Sequence, residues 1–263
     1  MGVSRVKIVK ASMILSMKNF FADPQWVIPS IIAPFVFTLV ALFLFKSASG
    51  AALLYAVLGG GMMGMWGTTV YGSGNSIAFD RWNGTMEATL AAPSPLIWII
   101  LGRVTWNTFI GIINGVLIFA FGFAWFRTGV SLVNPPLFVL ASIATFVSLS
   151  AFGLMLSSVY VLSRKGGFIE NSMEIPIYIA TGTMFPIALL PFFVQPISFI
   201  IGPTWGIEAI RISALSGYVG LTTGYWFDML ILLVETVLYF ALCFWLFVKV
   251  EAVAKRNGTI EEY

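Results

Sequence analysis

The sequence has 263 residues, of which 59% are hydrophobic and only 10% are charged. A soluble globular domain contains roughly 45–50% apolar and about 25% charged residues, so this composition excludes a water-soluble fold and indicates an integral membrane protein. Histidine is absent, and Cys243 is the single cysteine. A histidine-based catalytic triad, a zinc site with histidine ligands and an intramolecular disulfide are therefore excluded. The net charge of +3 is too small to indicate nucleic acid as a partner.

Residues 1–24 are predicted to form a cytoplasmic interface helix. Apolar residues recur at helical spacing over residues 4–21, which indicates a helix that lies on the membrane surface. The apolar face consists of Val6, Val9, Met13, Met17 and Phe20. Asp23 and Pro24 then end the helix. An ordinary basic flank that only orients the chain is the alternative interpretation.

Six apolar stretches are long enough to cross a bilayer, for which a helix needs about 20 residues. They are residues 25–45, 51–77, 96–126, 135–163, 173–190 and 226–249. Their apolar residues are continuous instead of alternating, so a transmembrane β-barrel is excluded. The sequence predicts an all-α integral membrane fold, in which residues 1–263 form a single domain with six transmembrane helices.

Basic residues are distributed unevenly between the two sides of this topology. With six spans, both termini share one side with the 78–95 and 164–172 connections, and the 250–263 tail lies there too. Eleven basic residues belong to that side, namely Arg5, Lys7, Lys10, Lys18, Arg81, Arg103, Arg164, Lys165, Lys249, Lys255 and Arg256. The other side has only Lys46, Arg127 and Arg211. Because basic residues accumulate in cytoplasmic segments, both termini are predicted to be cytoplasmic.

Prolines interrupt the apolar segment that precedes the last predicted span. They are Pro186, Pro191, Pro196 and Pro203. Since proline breaks helices, we expect two short helices, at about 192–200 and 205–215, which enter the outer leaflet and return. Residues 191–225 would thus form a re-entrant hairpin that packs against the bundle. Glu208 and Arg211 are spaced i, i+3 on its second helix and can pair.

The 78–95 connection is the longest cytoplasmic segment between two spans. It is charged at its start, Gly84 can bend it, and Thr85 can cap a short helix that holds Glu87. A plain connector is the alternative. The sequence contains no GxxxxGKS or GxxxxGKT phosphate-binding loop, and this connection is too short to fold as an ATPase. Any ATP chemistry must therefore come from a partner.

Two groups of motifs resemble the permeases of ABC type-2 exporters. The first is Arg81-x-x-Gly84-Thr85-x-Glu87-x-x-Leu90-x-x-x-Ser94, followed by Gly102-Arg103 in the next span. The second runs from Gly182-Thr183-Met184-Phe185-Pro186 through Leu190-Pro191 and Gln195-Pro196-Ile197 to Pro203-Thr204-Trp205-x-x-Glu208-Ala209-x-Arg211. The motifs also stand in the family's order and on the corresponding sides of the six predicted spans. Nearly the whole chain therefore resembles this family. Asp80 stands where the family more often has Glu, which keeps the charge.

This resemblance implies a transmembrane subunit of an ATP-driven exporter that makes and breaks no bonds itself. It implies a coupling loop that docks on a separate ABC ATPase subunit through Arg81, Gly84, Thr85 and Glu87. It also implies paired extracellular re-entrant helices, which here include Pro186, Pro203, Glu208 and Arg211. ATP and Mg would bind to the partner, and this chain would hold no cofactor or metal.

The resemblance further implies two permeases that together enclose a pathway across the lipid bilayer. The second permease is either another copy of this chain or a homologue. The location implied is the plasma (cytoplasmic) membrane of a prokaryote. The substrate stays open among drugs, lipid-linked glycans, peptides and ions.

Glu235 lies nine residues into the last predicted span, roughly 13 Å deep at about 1.5 Å per residue. A carboxylate at that depth is costly and is a functional hypothesis by default. The rival function is therefore a proton-coupled secondary transporter that uses Glu235. The alternative role is a protonated or hydrogen-bonded carboxyl group that packs between helices. Asp228, nearer the end of the same span, is predicted to be solvated and receives no role.

Small residues in two spans permit close approach of helices. Gly60-x-x-x-Gly64 lies in the second span and Gly111-x-x-x-Gly115 in the third. Close packing within one chain is one interpretation of these motifs, and a seam between two permeases is the other. Trp66 and Trp106 fall away from the predicted membrane boundaries, so we expect both rings to pack inside the bundle.

Overall fold

The computed structural model of the chain describes residues 4–22, 24–44, 50–72, 80, 83–85, 88–89, 92, 94–126, 132–162, 175–183, 187–218, 220 and 224–257. These residues form helices joined by turns, and none of them lies in a β-strand. The helices are α1 (Arg5–Ala22), α2 (Pro24–Leu44), α3 (Gly50–Trp66), α4 (Leu96–Phe126), α5 (Pro135–Leu162), α6 (Gln195–Ile200), α7 (Pro203–Ala214) and α8 (Tyr225–Asn257). A π-helical segment, Gly67–Tyr71, continues α3. The all-α prediction is confirmed.

Over the described residues, three helices are long and apolar enough to cross a membrane. Their apolar parts are Leu96–Gly122 of α4, Pro135–Val159 of α5 and Tyr225–Lys249 of α8. These helices coincide with the third, fourth and last of the predicted spans. Helix α2 and helix α3 occupy the described parts of the first two. The total of six spans stays a prediction.

The fifth predicted span, residues 173–190, is not one continuous helix in its described part. Residues 175–180 are helical, and a turn follows in which Gly182 has a left-handed φ of 69°. The Thr183 N–H group donates to the Tyr178 carbonyl at 3.2 Å, and the Gly182 N–H group donates to the Ile179 carbonyl at 3.1 Å. These two bonds form a Schellman motif, which commonly ends a helix at a left-handed glycine. The helix that the apolar run predicts therefore stops about halfway along the run, because a glycine-based cap ends it.

The helices form two groups, one packed around α4 and one packed around α5. Helix α4 packs against α1 and α3, and α3 also packs against α2. Helix α5 packs against α7 and α8, which pack against each other. The largest apolar core lies where side chains of α3, α5 and α7 meet. Of the two short helices, α7 is thus held against the long helices α5 and α8, and α6 packs against α7.

Aromatic rings and the single cysteine lie in the interior. Trp66 is fully buried, and its ring meets Phe152 of α5 edge-on with centroids 5.6 Å apart. Trp106 is also buried. Both confirm the prediction that these tryptophans pack inside the bundle. Cys243 lies in a second apolar cluster with residues of α4 and α5, where it packs as a small apolar side chain.

The prediction that Asp228 is solvated is wrong. Its side chain is buried within the chain and not solvated. The reason is the orientation of the first turn of α8, in which the Tyr225 hydroxyl donates to the Leu137 carbonyl of α5 at 2.8 Å. Because residues spaced i, i+3 share one helix face, the contact that draws Tyr225 inward also turns Asp228 toward the bundle.

Glycines allow neighbouring helices of this one chain to approach each other closely. A Cβ atom on Gly60 would overlap the side chain of Thr38 in α2, including Thr38 Cβ at 2.8 Å. A Cβ atom on Gly111 would lie 2.8 Å from the hydroxyl oxygens of Thr68 and Thr69. These glycine faces are occupied by other helices of the same chain. The interpretation of the two GxxxG motifs as close packing within one chain is confirmed.

Two adjacent glycines in α3 provide a matched test of this packing. Gly60→Ala forces a methyl group into Thr38, whereas a Cβ atom on Gly61 would lie 3.7 Å from the nearest neighbouring atom, the Gly115 carbonyl oxygen. We expect Gly60→Ala to lower the free energy of unfolding by about 1–3 kcal/mol because it overpacks a closed interface. Gly61→Ala should unfold close to the wild-type temperature. Thermal unfolding of the purified protein in detergent measures both, and equal transition temperatures would contradict the assignment.

Candidate functional site

The described residues of the 78–95 connection form a tight turn with an exposed tip. Gly84 has a left-handed φ of 66°, which confirms the bend that the sequence predicts at this glycine. The Thr85 N–H group donates to the Asp80 carbonyl at 2.8 Å, and the Thr89 N–H group donates to the Thr85 carbonyl at 3.0 Å. A helical turn therefore follows the bend. Residues 83–85 and 88 are exposed to solvent, whereas Asp80 at the base is buried.

Asp80 fastens the base of this turn to α4. Its Oδ2 atom lies 2.7 Å from Arg103 Nη1 of α4, and both residues are buried. The hydroxyl groups of Thr85 and Thr89 donate to Oδ1 and Oδ2 at 3.2 and 3.3 Å. Removing two charges from water is costly, and their mutual attraction offsets that cost only when further hydrogen bonds satisfy the remaining lone pairs. The Thr85 and Thr89 hydroxyl groups supply such bonds to the Asp80 carboxylate. Arg81 and Glu87, which the resemblance assigns to coupling, lie outside the described residues.

Helix α1 lies against the same end of α4. The Ser12 hydroxyl donates to the Ile99 carbonyl at 2.6 Å, and Ser12 is buried. Gly102 contacts the backbone of α1 so closely that a Cβ atom there would overlap the Val9 carbonyl oxygen. A helix is thus present in the predicted segment, and it is docked on a neighbouring helix.

The predicted apolar face of α1 is divided between two environments. Val9, Met13 and Phe20 are partly buried on the side that faces α4. Val6 and Met17 are exposed, at 75% and 36% of their surface. Helix α4 therefore covers part of the predicted apolar face, because small residues such as Ser12 bring α4 onto the flank of α1. The placement of this face on the membrane stays a prediction.

The proline-rich segment contains two short helices, as the sequence predicts, at Gln195–Ile200 and Pro203–Ala214. Proline stands in the first turn of each, where its missing N–H group costs nothing. Tyr239 of α8 holds the turn between them. Its hydroxyl accepts a hydrogen bond from the Gly202 N–H group and donates to the Ile200 carbonyl, both at 2.8 Å. Pro186, the first proline of the segment, lies outside the described residues.

A buried charge network joins α7 to two other parts of the chain. Arg211 Nη1 lies 3.5 Å from Glu208 Oε1, so the predicted i, i+3 pair is present. Arg211 Nη2 donates to the carbonyl oxygens of Gly182 and Thr183 at 2.6 and 3.1 Å. The guanidinium group also lies over the Tyr55 ring of α3, 4.1 Å from its centroid. Arg211 thus ties α7 to the turn after residues 175–180 and to α3.

Tyr218 completes this network from the chain that follows α7. Its hydroxyl donates to both Glu208 carboxylate oxygens, at 3.0 and 2.9 Å. Burial, together with the adjacent Glu208 carboxylate, raises the pKa of the Tyr218 hydroxyl above its usual value. Tyr218 therefore stays protonated and keeps donating over the physiological pH range.

Glu235 extends from α8 toward the turn between α6 and α7, where its carboxyl group faces Gly202. A Cβ atom on Gly202 would lie 2.8 Å from Glu235 Oε2. Oε2 is buried and has no hydrogen-bond partner among the described residues. Tyr239, which holds the hairpin turn, is one helical turn further along α8. This placement fits both a functional carboxylate and a carboxyl group that packs between helices.

Several residues of these sites received no role from the sequence, although Arg103 is part of a motif that resembles the family. Arg103 carries the clearest signal, since a charged residue seven positions into a long apolar helix requires a partner. Tyr218, Tyr55 and Tyr239 carry no such signal, because an aromatic residue in an apolar segment is most often part of the core. Within the described part of the chain, no cluster of three or more acidic or cysteine side chains could hold a metal ion.

The charge network predicts an order of stability among variants. Glu208→Gln removes the charge that compensates Arg211, and breaking a buried pair costs about 3–5 kcal/mol. Tyr218→Phe removes a neutral donor to Glu208 and should cost less, about 1.5–3 kcal/mol for a hydrogen bond to a charged group. Thermal unfolding in detergent should therefore rank wild type above Tyr218→Phe and Tyr218→Phe above Glu208→Gln. Wild-type stability of Glu208→Gln would show that Arg211 needs no compensating charge.

The chain also matches a known protein family. The sequence profile of the family described as ABC-2 type transporter matches residues 8–215, which include all but the first residues of α1 and extend beyond α7. No curated protein sequence matches the chain significantly.

Proposed function

The chain belongs to the ABC-2 type transporter family, and we propose on that basis that it is the permease of an ATP-driven exporter. Members of this family are membrane components of ABC transporters and are not themselves catalytic. They normally work with ABC ATPase subunits. Two permeases, either two copies of this chain or one copy and a homologue, enclose the pathway, and two ATPase subunits bind below them.

The proposed topology has six spans with both termini on the cytoplasmic side of the plasma membrane of a prokaryote. The asymmetry of basic residues supports this orientation. Helix α1 then lies at the cytoplasmic surface, and the α6–α7 hairpin lies re-entrant at the outer one. The substrate class is left open among drugs, lipid-linked glycans, peptides and ions.

The observation that carries the coupling role is the shape of the 78–95 connection. Its base is buried through Asp80, while its tip over residues 83–85 and 88 is exposed. A docking element needs both properties, since the tip must reach a partner and the base must pass on its displacement. ATP hydrolysis on the partner supplies the energy, and this chain converts movement of the connection into rearrangement of its helices. Arg81 and Glu87 either contact the ATPase or brace the connection.

Charge reversal at Glu87 tests this role. We expect Glu87→Arg to insert into the membrane normally but to abolish export and permease-dependent ATPase activity, because reversing a charge in a partly buried contact costs about 2–5 kcal/mol. The measurement is ATP hydrolysis by the complex of this chain with its co-purifying ATPase subunit in lipid vesicles. Glu170→Arg, the same change in the other predicted cytoplasmic connection, is the comparison. It should leave ATPase activity unchanged if that connection is a solvated loop and lower it if that connection is a second contact with the ATPase. Wild-type ATPase activity of Glu87→Arg would exclude this residue and leave α1 as the docking element.

A second candidate function, proton-coupled transport, is favoured by one observation. Glu235 places a carboxyl oxygen in the interior with no hydrogen-bond partner among the described residues, where a proton could be bound and released. Transport would then continue without ATP and stop when the proton gradient is removed.

Glu235→Gln distinguishes the two roles of this carboxyl group, since glutamine keeps its shape and cannot ionise. If the ionised group takes part in transport, Glu235→Gln should fold normally and change the pH dependence of transport in vesicles. Transport identical to wild type at every pH, with an unchanged unfolding temperature, would assign Glu235 to packing.

A further inference from the structure

Three contacts from two separate segments meet within five residues of α4. The Ile99 carbonyl oxygen accepts a hydrogen bond from the Ser12 hydroxyl of α1 at 2.6 Å. Gly102 lies against the Val9 carbonyl of α1. Arg103, the next residue, pairs with Asp80 at the base of the 78–95 connection. Both segments that face the cytoplasm in the proposed topology are therefore fixed to the same part of one helix.

The contact with the connection is electrostatic and shielded from water. Arg103 is seven residues beyond the first residue of α4, about 10 Å along the helix axis at about 1.5 Å per residue. Buried charges attract each other more strongly than charges in water, and either one alone would be left uncompensated. The pair therefore resists the separation of the connection from α4 when the connection is pushed or pulled.

Asp80 also organises the connection internally. Its carboxylate accepts hydrogen bonds from the hydroxyl groups of Thr85 and Thr89, and its carbonyl accepts the Thr85 N–H group. One carboxylate thus joins the residues before the Gly84 bend, the helical turn after it and α4. A carboxylate that gathers several partners holds them in a single geometry more firmly than separate pairs would.

The contact with α1 is steric and equally close. Because Gly102 has no side chain, the backbone of α1 reaches the backbone of α4, and Ser12 fixes the register of the two helices with its hydrogen bond. A larger residue at position 102 would push α1 away. This contact uses none of the atoms of the Asp80–Arg103 pair, so each contact can be disrupted separately.

We propose that Asp80 and Arg103 are positioning residues that lock the 78–95 connection onto α4, so that the connection, α1 and the start of α4 move as one rigid lever. This inference deepens the proposed function and rests on it in one respect, since the lever transmits force only if an ATPase subunit contacts the connection. Neither residue needs to contact the partner. Their role is to prevent the exposed tip from moving independently of the helix that it must displace.

Spin labels test the lever without any partner. In a Cys243→Ala background, a nitroxide is attached to cysteine in Ala88→Cys on the tip or in Ala11→Cys on α1, both of which are exposed positions. We expect Asp80→Asn, which keeps the shape but loses the charge, to increase the mobility of the label at position 88 and not at position 11. Gly102→Leu should increase the mobility of the label at position 11 and not at position 88. Arg103→Lys, which keeps the charge, should leave the label at position 88 nearly as immobile as in the parent.

ATPase activity of the complex in lipid vesicles tests what the lever does. We expect Asp80→Asn to retain the ATPase subunit on purification but to lose permease-dependent ATPase stimulation, and Arg103→Lys to keep most of it. An immobile label at position 88 in Asp80→Asn would overturn the lock. A mobile label combined with wild-type ATPase stimulation would overturn the role of the lock in coupling. If the wild-type chain itself has no effect on the ATPase, the proposed function fails, while the label mobilities still decide whether the lock exists.

Discussion

A charged side chain that leaves water must find its partner inside the protein, and two ion pairs satisfy that requirement here. Asp80 pairs with Arg103 near one end of α4, and Glu208 pairs with Arg211 within α7. The first pair lies at the base of a bend, and the second lies within a short helix that follows the proline-rich segment. In both cases hydroxyl or carbonyl groups bind the remaining atoms of one partner, so the pair organises more of the backbone than its own two residues.

Close contacts between helices fix the positions of the elements that carry these two ion pairs. Gly60 and Gly111 leave no room between α3 and its neighbours, and Gly102 leaves none between α4 and α1. Apolar side chains gain little from meeting each other in lipid, so packing in a membrane depends on such close contacts. Threonine side chains face Gly60 and Gly111, whereas the Gly102 contact has backbone on both sides, so α1 and α4 cannot shift by repacking side chains alone. A displacement at the base of α4 would therefore be passed to α1 as a movement of whole helices.

The two ends of the molecule are held by different contacts. At the base of α4, one ion pair and one glycine contact attach two cytoplasm-facing segments of the proposed topology to a single helix. In the hairpin, Arg211 binds carbonyl oxygens of a distant turn, and Tyr239 of α8 binds both sides of the turn between α6 and α7. The short helices are thus attached to elements that enter the bundle from several directions, and they would have to move with them.

The apolar runs and the prolines were sufficient to predict most of the helices. The run over 96–126 matches α4 to the residue, and the run over 135–163 matches α5 within one residue, because a continuous apolar segment in a membrane must satisfy its backbone as a helix. The same rule failed over 173–190, where Gly182 caps the helix and Arg211, 29 residues later, binds the freed carbonyl. Local patterns specify elements, since periodicity and turn chemistry involve neighbours along the chain. Long-range packing defines the other partners, namely Arg103 for Asp80, the Gly182 carbonyl for Arg211 and the Gly202 N–H group for Tyr239. It brings together residues that no local pattern connects.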